Sequence, residues 1–197
     1  MRIMLGLKRN EVKLTDNNPE WDIFATQMIE RLWCILGSVA EDIQHFGSTA
    51  IRHIKAKPDM YIAVGVKEMN IVEGILSRLQ NMGISKIENR SEPDTVLCAM
   101  NDEIESGVHT VYVHILPYGS KTWNENTNFR DYMNDFPSKA AEYEKLKVSL
   151  AKQYPNNRRA YKNGKIAFFK KHLDEAHIYK EFKSNCYDIK GLGEQAY

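Results

Sequence analysis

A chain of 197 residues, 43% hydrophobic and 27% charged, has enough apolar material for one large domain with a real core. It contains no internal repeat or low-complexity stretch, and no apolar run approaches the roughly 20 residues that span a bilayer, which excludes a fibrous or membrane-spanning reading. The formal charge of +1 conceals a basic segment, Ser138 to Lys171, where ten Lys and Arg meet only Glu142 and Glu144; such a half suits an anionic ligand such as a phosphate ester, with a solvated helix surface as the plain alternative.

Asn17-Asn18-Pro19 starts a helix, with Trp21, Phe24, Met28, Leu32 and Ile35 marking its buried face and Gly37 its end. Val39 to Phe46 reads as a strand, 47–56 as a loop and Pro58 to Val66 as a second strand. Helical spacing returns at Ile71, Val72, Ile75, Leu76 and Leu79 and stops near Gly83. Two short strands are expected at Ser85–Asn89 and Thr95–Met100, a turn at Asn101-Asp102-Glu103, and a last strand from Val108 to Leu116. Helices then follow at Asn126–Asp135, Ser138–Gln153 and Asn157 to about Lys171, and beyond Glu175 comes a polar tail, docked or frayed. The plan is α+β: a mixed β-sheet with flanking helices and a C-terminal helical part. One domain, 1–197, is expected, with a sheet-containing core (1–120), a helical part (121–175) and the tail (176–197). Cys34, Cys98 and Cys186 are odd in number and widely spaced, which favours idle thiols and a cytoplasmic setting.

The chemistry concentrates in His45-Phe46-Gly47-Ser48-Thr49-Ala50 and Lys57-Pro58-Asp59-Met60-Tyr61-Ile62. A strand entering a Gly-Ser turn brings backbone N–H groups close to a phosphate, and a carboxylate on the next strand can hold a metal ion. Alternation in the second strand places Met60, Ile62, Val64 and Val66 on one face and Asp59, Tyr61, Ala63 and Gly65 on the other. In the last strand Val111, Val113 and Ile115 oppose Thr110, Tyr112 and His114. If the two strands are neighbours, Asp59, Tyr61, Tyr112 and His114 line one concavity; an ordinary wet sheet face explains the pattern equally well. His45 and His114 are candidates for orienting phosphate, although a lone strand histidine is more often structural. Lys57 lies beside this cleft, as a phosphate-neutralising group or a surface lysine. Gly119-Ser120-Lys121-Thr122 lacks the spacing of a phosphate-binding P-loop.

These motifs, with Leu5-Gly6-Leu7-Lys8-Arg9, Asn18-Pro19-Glu20-Trp21, Gly119-Ser120, Trp123, Phe129-Arg130-Asp131-Tyr132, Glu142-Tyr143, Leu146-Lys147, Tyr154-Pro155, Ala160-Tyr161 and Lys165, resemble the GrpB-like family. The resemblance implies a nucleotidyltransferase-type fold. It also implies Pro and Gly where Arg52 and His53 stand, an aspartate at the position of Tyr61, and a double histidine at Val111 and Tyr112. The departures fall in the motifs while the framework matches survive, which bears on activity more than on fold.

The expected ligand-binding residues are Gly47, Ser48, Thr49, Lys57, Tyr61, Tyr112, Arg130, Arg158, Tyr161 and Lys165, with Asp59 and His114 as candidate catalytic groups. Asp59 is also the candidate metal ligand, for Mg²⁺. Arg130 beside Asp131 reads first as a structural ion pair and second as a ligand-binding group. The expected function is binding of a nucleotide or phosphorylated small molecule with impaired or no catalysis. An active metal-dependent nucleotidyl or phosphoryl transferase is the first alternative. A protein-interaction module associated with coenzyme A metabolism is the second, because relatives of the family occur fused to dephospho-coenzyme A kinase. No membrane partner is expected, and the basic segment carries no recognised nucleic-acid motif.

Overall fold

The structure, a computed structural model, describes residues 5–8, 10–88, 94–101 and 108–193, with side chains described to residue 183. Asp102 and Glu103 of the expected turn, the last residue of the expected strand ending at Asn89, and the side chain of Cys186 lie outside the described residues.

Helix α1 spans Glu20–Leu36. Asn18 Oδ1 accepts from the Glu20 N–H at 3.0 Å, so the expected Asn-Pro start is present. Its buried line is Trp21, Ala25, Met28, Leu32 and Leu36; Phe24 and Ile35 flank it and pack against the core only in part. Gly37 adopts φ 53° and residues Gly37–Val39 form a tight 3₁₀ turn, so strand β1 is shorter than expected, Asp42–Phe46. Strand β2 (Met60–Val66), helix α2 (Val72–Gln80), and strands β3 (Ile84–Lys86), β4 (Val96–Asn101) and β5 (His109–Pro117) follow.

The sheet order is β1-β2-β5-β4-β3. β2 and β5 run parallel, and every other pairing is antiparallel, giving the mixed sheet the sequence implies. The register pairs Tyr61 with Tyr112 and Ala63 with His114, so the two polar faces do adjoin. Met60, Ile62, Val64, Val66, Val111, Val113 and Ile115 are fully buried under α1 and α2. Those seven side chains point the same way because β2 and β5 alternate in phase.

The C-terminal part comprises α3 (Lys121–Asp135), α4 (Pro137–Gln153), α5 (Arg158–Gly164) and α6 (Ile166–Gly193). α3 begins five residues earlier than periodicity suggests, because Ser120 Oγ caps it by accepting from the Trp123 N–H. The stretch that superficially matches a P-loop is therefore a helix start. α6 continues well past Lys171, where the sequence pattern ends. Ala176 is buried against the α3–α4 cluster, and Tyr179 and Lys183 both bond Asp135 of α3, at 3.0 and 2.7 Å. Long-range docking, rather than local propensity, extends this helix.

The helical part clamps the loop that joins the Gly-Ser turn to Asp59. Asn134 of α3 accepts from the Arg52 N–H at 2.8 Å and donates to the Ala50 carbonyl at 3.0 Å. Glu144 of α4 accepts from the Lys55 N–H at 2.7 Å, and Lys147 donates to the Lys55 carbonyl. His53 in this loop sits at φ 62°, a left-handed conformation that favours glycine. It is the position at which the family resemblance implies glycine.

Candidate functional site

Gly47 leaves β1 at φ 79°, ψ −170°, a region open essentially only to glycine. A Cβ there would also lie 3.2 Å from the Tyr61 ring. Gly47→Ala is therefore expected to destabilise the fold by about 1–3 kcal/mol, read as a lowered thermal midpoint. An unchanged midpoint would show that the turn relaxes freely. Ser48–Ala50 forms one 3₁₀ turn, in which Ser48 stays partly exposed and Thr49 turns inward. Thr49 Oγ1 donates to the Asp59 carbonyl at 3.3 Å and lies 3.0 Å from His45 Nε2. With its own proton spent on the carbonyl, Thr49 accepts from His45, which places the imidazole proton on Nε2.

Asp59 is fully buried just before β2. Its carboxylate is ion-paired to Lys57 Nζ, and Arg158 Nη2 of α5 lies 3.8 Å from the other oxygen. Arg158 also donates to the Glu11 carbonyl (3.1 Å), the Leu7 carbonyl (3.3 Å) and the Tyr112 hydroxyl (3.2 Å). Tyr112 stacks on Tyr61 with centroids 5.1 Å apart and planes 14° apart. Gly47, Tyr61, Tyr112, Arg158, Asp59 and Lys57 thus form one continuous patch, drawn from both sides of the sheet–helix boundary.

Around it lie more cations than acids. Lys165 extends over the Tyr161 ring, 4.7 Å from its centroid, and its ammonium makes no hydrogen bond among the described residues. Burial, with Lys57 and Lys162 nearby, pulls its pKa down to about 8. Lys147 is fully buried; burial and the neighbouring Lys165 bring it to about 7, against the pull of Glu144. Burial also lowers Lys57, although Asp59 opposes the shift. Burial and the Asp59 charge push the Tyr61 phenol well above its usual range, so it stays neutral. Five cations (Lys57, Lys147, Arg158, Lys162, Lys165) share this region with two carboxylates, Asp59 and Glu144.

Other expected residues serve the frame. His114 is wedged between Phe46 (5.1 Å, edge-on) and Tyr61 (5.9 Å), and its Nε2 is buried without a hydrogen bond among the described residues. Burial holds it at about 4, as burial and the Arg130 charge hold His45, so both are neutral near pH 7. Arg130 stands apart from the Asp59 patch. It donates to the His45 carbonyl at 2.6 Å, pairs with Asp131, and lines a hollow of about 520 Å³ between α1, β1 and α3. The expected concavity is also shorter than the face pattern suggests. Ala63 packs under Trp123 with Phe46 and Leu116, and a Cβ on Gly65 would meet the Trp123 ring at 2.9 Å. Tyr61 packs against the edge of this cluster, which leaves Asp59 as the residue of that face beyond it.

Lys147 is the group that sequence reasoning matched to the family yet left out of the site. It occupies a core position of α4, in line with Ala140, Tyr143 and Leu150. A lysine at the apolar phase of a helix is a readable signal, because a buried ammonium needs a reason to be there.

A family profile described as GrpB protein matches residues 11–175. The chain belongs to the GrpB family. Among its GrpB relatives is the glutamate-rich protein GrpB of Alkalihalophilus pseudofirmus, 36% identical over 87% of this chain and 99% of the relative. UPF0157 protein YqkA of Bacillus subtilis is 27% identical over 90% of this chain and 51% of its own length. In three dimensions the GrpB fold here is similar to the crystal structure of conserved protein GrpB from Enterococcus faecalis, with a TM-score of 0.74 and 25% identity, covering 83% of this chain and 96% of that one.

A nucleotidyltransferase-type site implies Mg²⁺, which takes near-octahedral oxygen ligands at roughly 2.0–2.1 Å. The residues present do not suit it. The Asp59 carboxylate is engaged by two protein cations. Tyr61, a neutral phenol, stands where the family resemblance implies the aspartate. Among the described residues no three His, Cys, Asp or Glu side chains gather into a metal-binding group. Nor, among the described residues, is any helix long and apolar enough to cross a membrane.

Proposed function

We propose that this GrpB-family chain is a cytoplasmic protein that binds a nucleotide or another phosphorylated small molecule on a nucleotidyltransferase-like shell, with impaired or no catalysis. The observation that carries the reading is the gathering of Lys57, Lys147, Arg158 and Lys165, all buried or partly buried, around Asp59 and Glu144. These four basic groups outnumber the two carboxylates, and desolvation disfavours their charged forms unless an anion is present. Impaired chemistry follows from the same patch. Tyr61 stands where the family resemblance implies an anionic ligand, and His114 is held neutral by burial between two rings.

Calorimetric titration of the full chain with nucleoside triphosphates and coenzyme A precursors, with and without Mg²⁺, tests this. Saturable binding of at least one of them, without turnover, is the expected result. Heats of dilution alone for the whole series would overturn it. An interaction role has one observation in its favour: Ile178 and Phe182 of α6 stand 68% and 65% exposed, one helical turn apart. Rapid Asp59-dependent turnover would instead restore the active-transferase reading.

A further inference from the structure

We propose that the site takes its phosphate directly on protein cations, with Lys57 occupying the Asp59 carboxylate in place of a divalent metal and Lys165 receiving the ligand. This rests on the phosphate-binding reading above and adds how the ligand is held. In a metal-dependent site, a carboxylate faces the phosphate with an ion between them, because the two anions repel. Here the fully buried carboxylate already has its counter-charges, Lys57 Nζ and Arg158 Nη2. The Arg158 guanidinium is further tied to two backbone carbonyls and the Tyr112 hydroxyl, which fixes it as part of the wall.

Lys165 differs from the other cations of the patch that are not exposed; Lys162 is a solvent-facing neighbour. Lys57 has a carboxylate, Arg158 has four oxygens, and Lys147 has the Lys55 carbonyl. Lys165 has only the face of Tyr161 beneath it and no hydrogen-bond acceptor among the described residues. An ammonium with donors to spare, held by its stem against an aromatic ring, is the group an incoming phosphate oxygen would engage. Lys57, Lys162 and Asp59 are the charges acting on it, with Lys147 close enough for the two lysines to repel. An anion arriving there relieves that repulsion without any metal ion.

The test is calorimetric titration of the full chain with ATP and with inorganic pyrophosphate, in EDTA and again in excess Mg²⁺. The expected result is binding in EDTA, with affinity within about threefold of that in Mg²⁺. Lys165→Met should weaken binding by about tenfold or more, a loss in line with removing a charge-assisted hydrogen bond. This variant breaks no hydrogen bond to the protein, so folding is retained. Asp59→Asn should keep or tighten binding, because it removes an anion that competes for Lys57. Binding seen only with Mg²⁺ and lost in Asp59→Asn would overturn the metal-free inference while leaving the phosphate-binding reading intact. No binding of either probe in either medium would remove both.

Discussion

Arg158→Ala is expected to lower the unfolding free energy by about 2–4 kcal/mol, the largest effect of any single substitution discussed. The guanidinium joins four separate parts of the chain: the Leu7 and Glu11 carbonyls of the N-terminal segment, Tyr112 of β5, Asp59 before β2, and α5 itself. Truncation removes a donor from two carbonyls and from the Tyr112 hydroxyl, and leaves the buried Asp59 with Lys57 as its one remaining ion-pair partner among the described residues. Removing one partner from a buried charge network costs much more than the network's net contribution, because the partners left behind stay desolvated. In a chain of this length each kcal/mol moves the thermal midpoint by roughly 2–4 °C, so a drop of roughly 4–16 °C should be seen. Arg158→Lys should recover only a minor part, since an ammonium cannot present the same fork of donors. Arg159→Ala, at the exposed neighbouring position, is the control and should stay within about 0.5 kcal/mol of the parent. Equal midpoints for the two alanine variants would refute the account of Arg158 as the central tie.

The second large effect is on acid stability. His45 and His114 both fall from an ordinary 6.5 to about 4 in the folded chain. Between those values the unfolded chain binds protons that the folded chain refuses, so stability must fall as pH drops from about 6.5 to 4. Below that window both states are protonated and the loss is complete, at most about 3 kcal/mol for each histidine. The refusal has a visible cause. His114 lies between the Phe46 and Tyr61 rings with Lys162 as its nearest influential charge, and His45 is buried against Thr49 with Arg130 close by. Urea unfolding at a series of pH values should show the slope, and His114→Leu should remove about half of it. Carboxylate titration affects both proteins alike, so the difference between them isolates the histidine. Parallel pH profiles for parent and variant would show that His114 is protonated freely in the folded state.

Much of this architecture could be read directly from residue order. Period-2 alternation in 60–66 and 111–115 assigned the buried faces of β2 and β5 correctly, because a sheet face covered by helices selects apolar residues at every second position. Asn18-Pro19 and Gly37 marked the ends of α1 through backbone chemistry that acts within a few residues. Apolar periodicity misses the start of α3, where Ser120 is a local cap three residues from Trp123, and the second half of α6, which depends on contacts with Asp135 across the bundle.

What residue order determined by itself was the family framework, the glycine turn at Gly47 and a tyrosine, Tyr61, at the position where the family resemblance implies an acid. These are properties of single positions and short spacings. Which charges meet was decided only in three dimensions. Arg158 and Lys165 lie about a hundred residues from Asp59 in the chain, and the fold alone sends the first to the carboxylate and leaves the ammonium of the second without an acceptor among the described residues. Arg130, with the same charge and an equal family match, is carried to the far side of β1 and spent on the His45 carbonyl. Electrostatic pairing depends on distance and burial, and neither is a function of sequence separation.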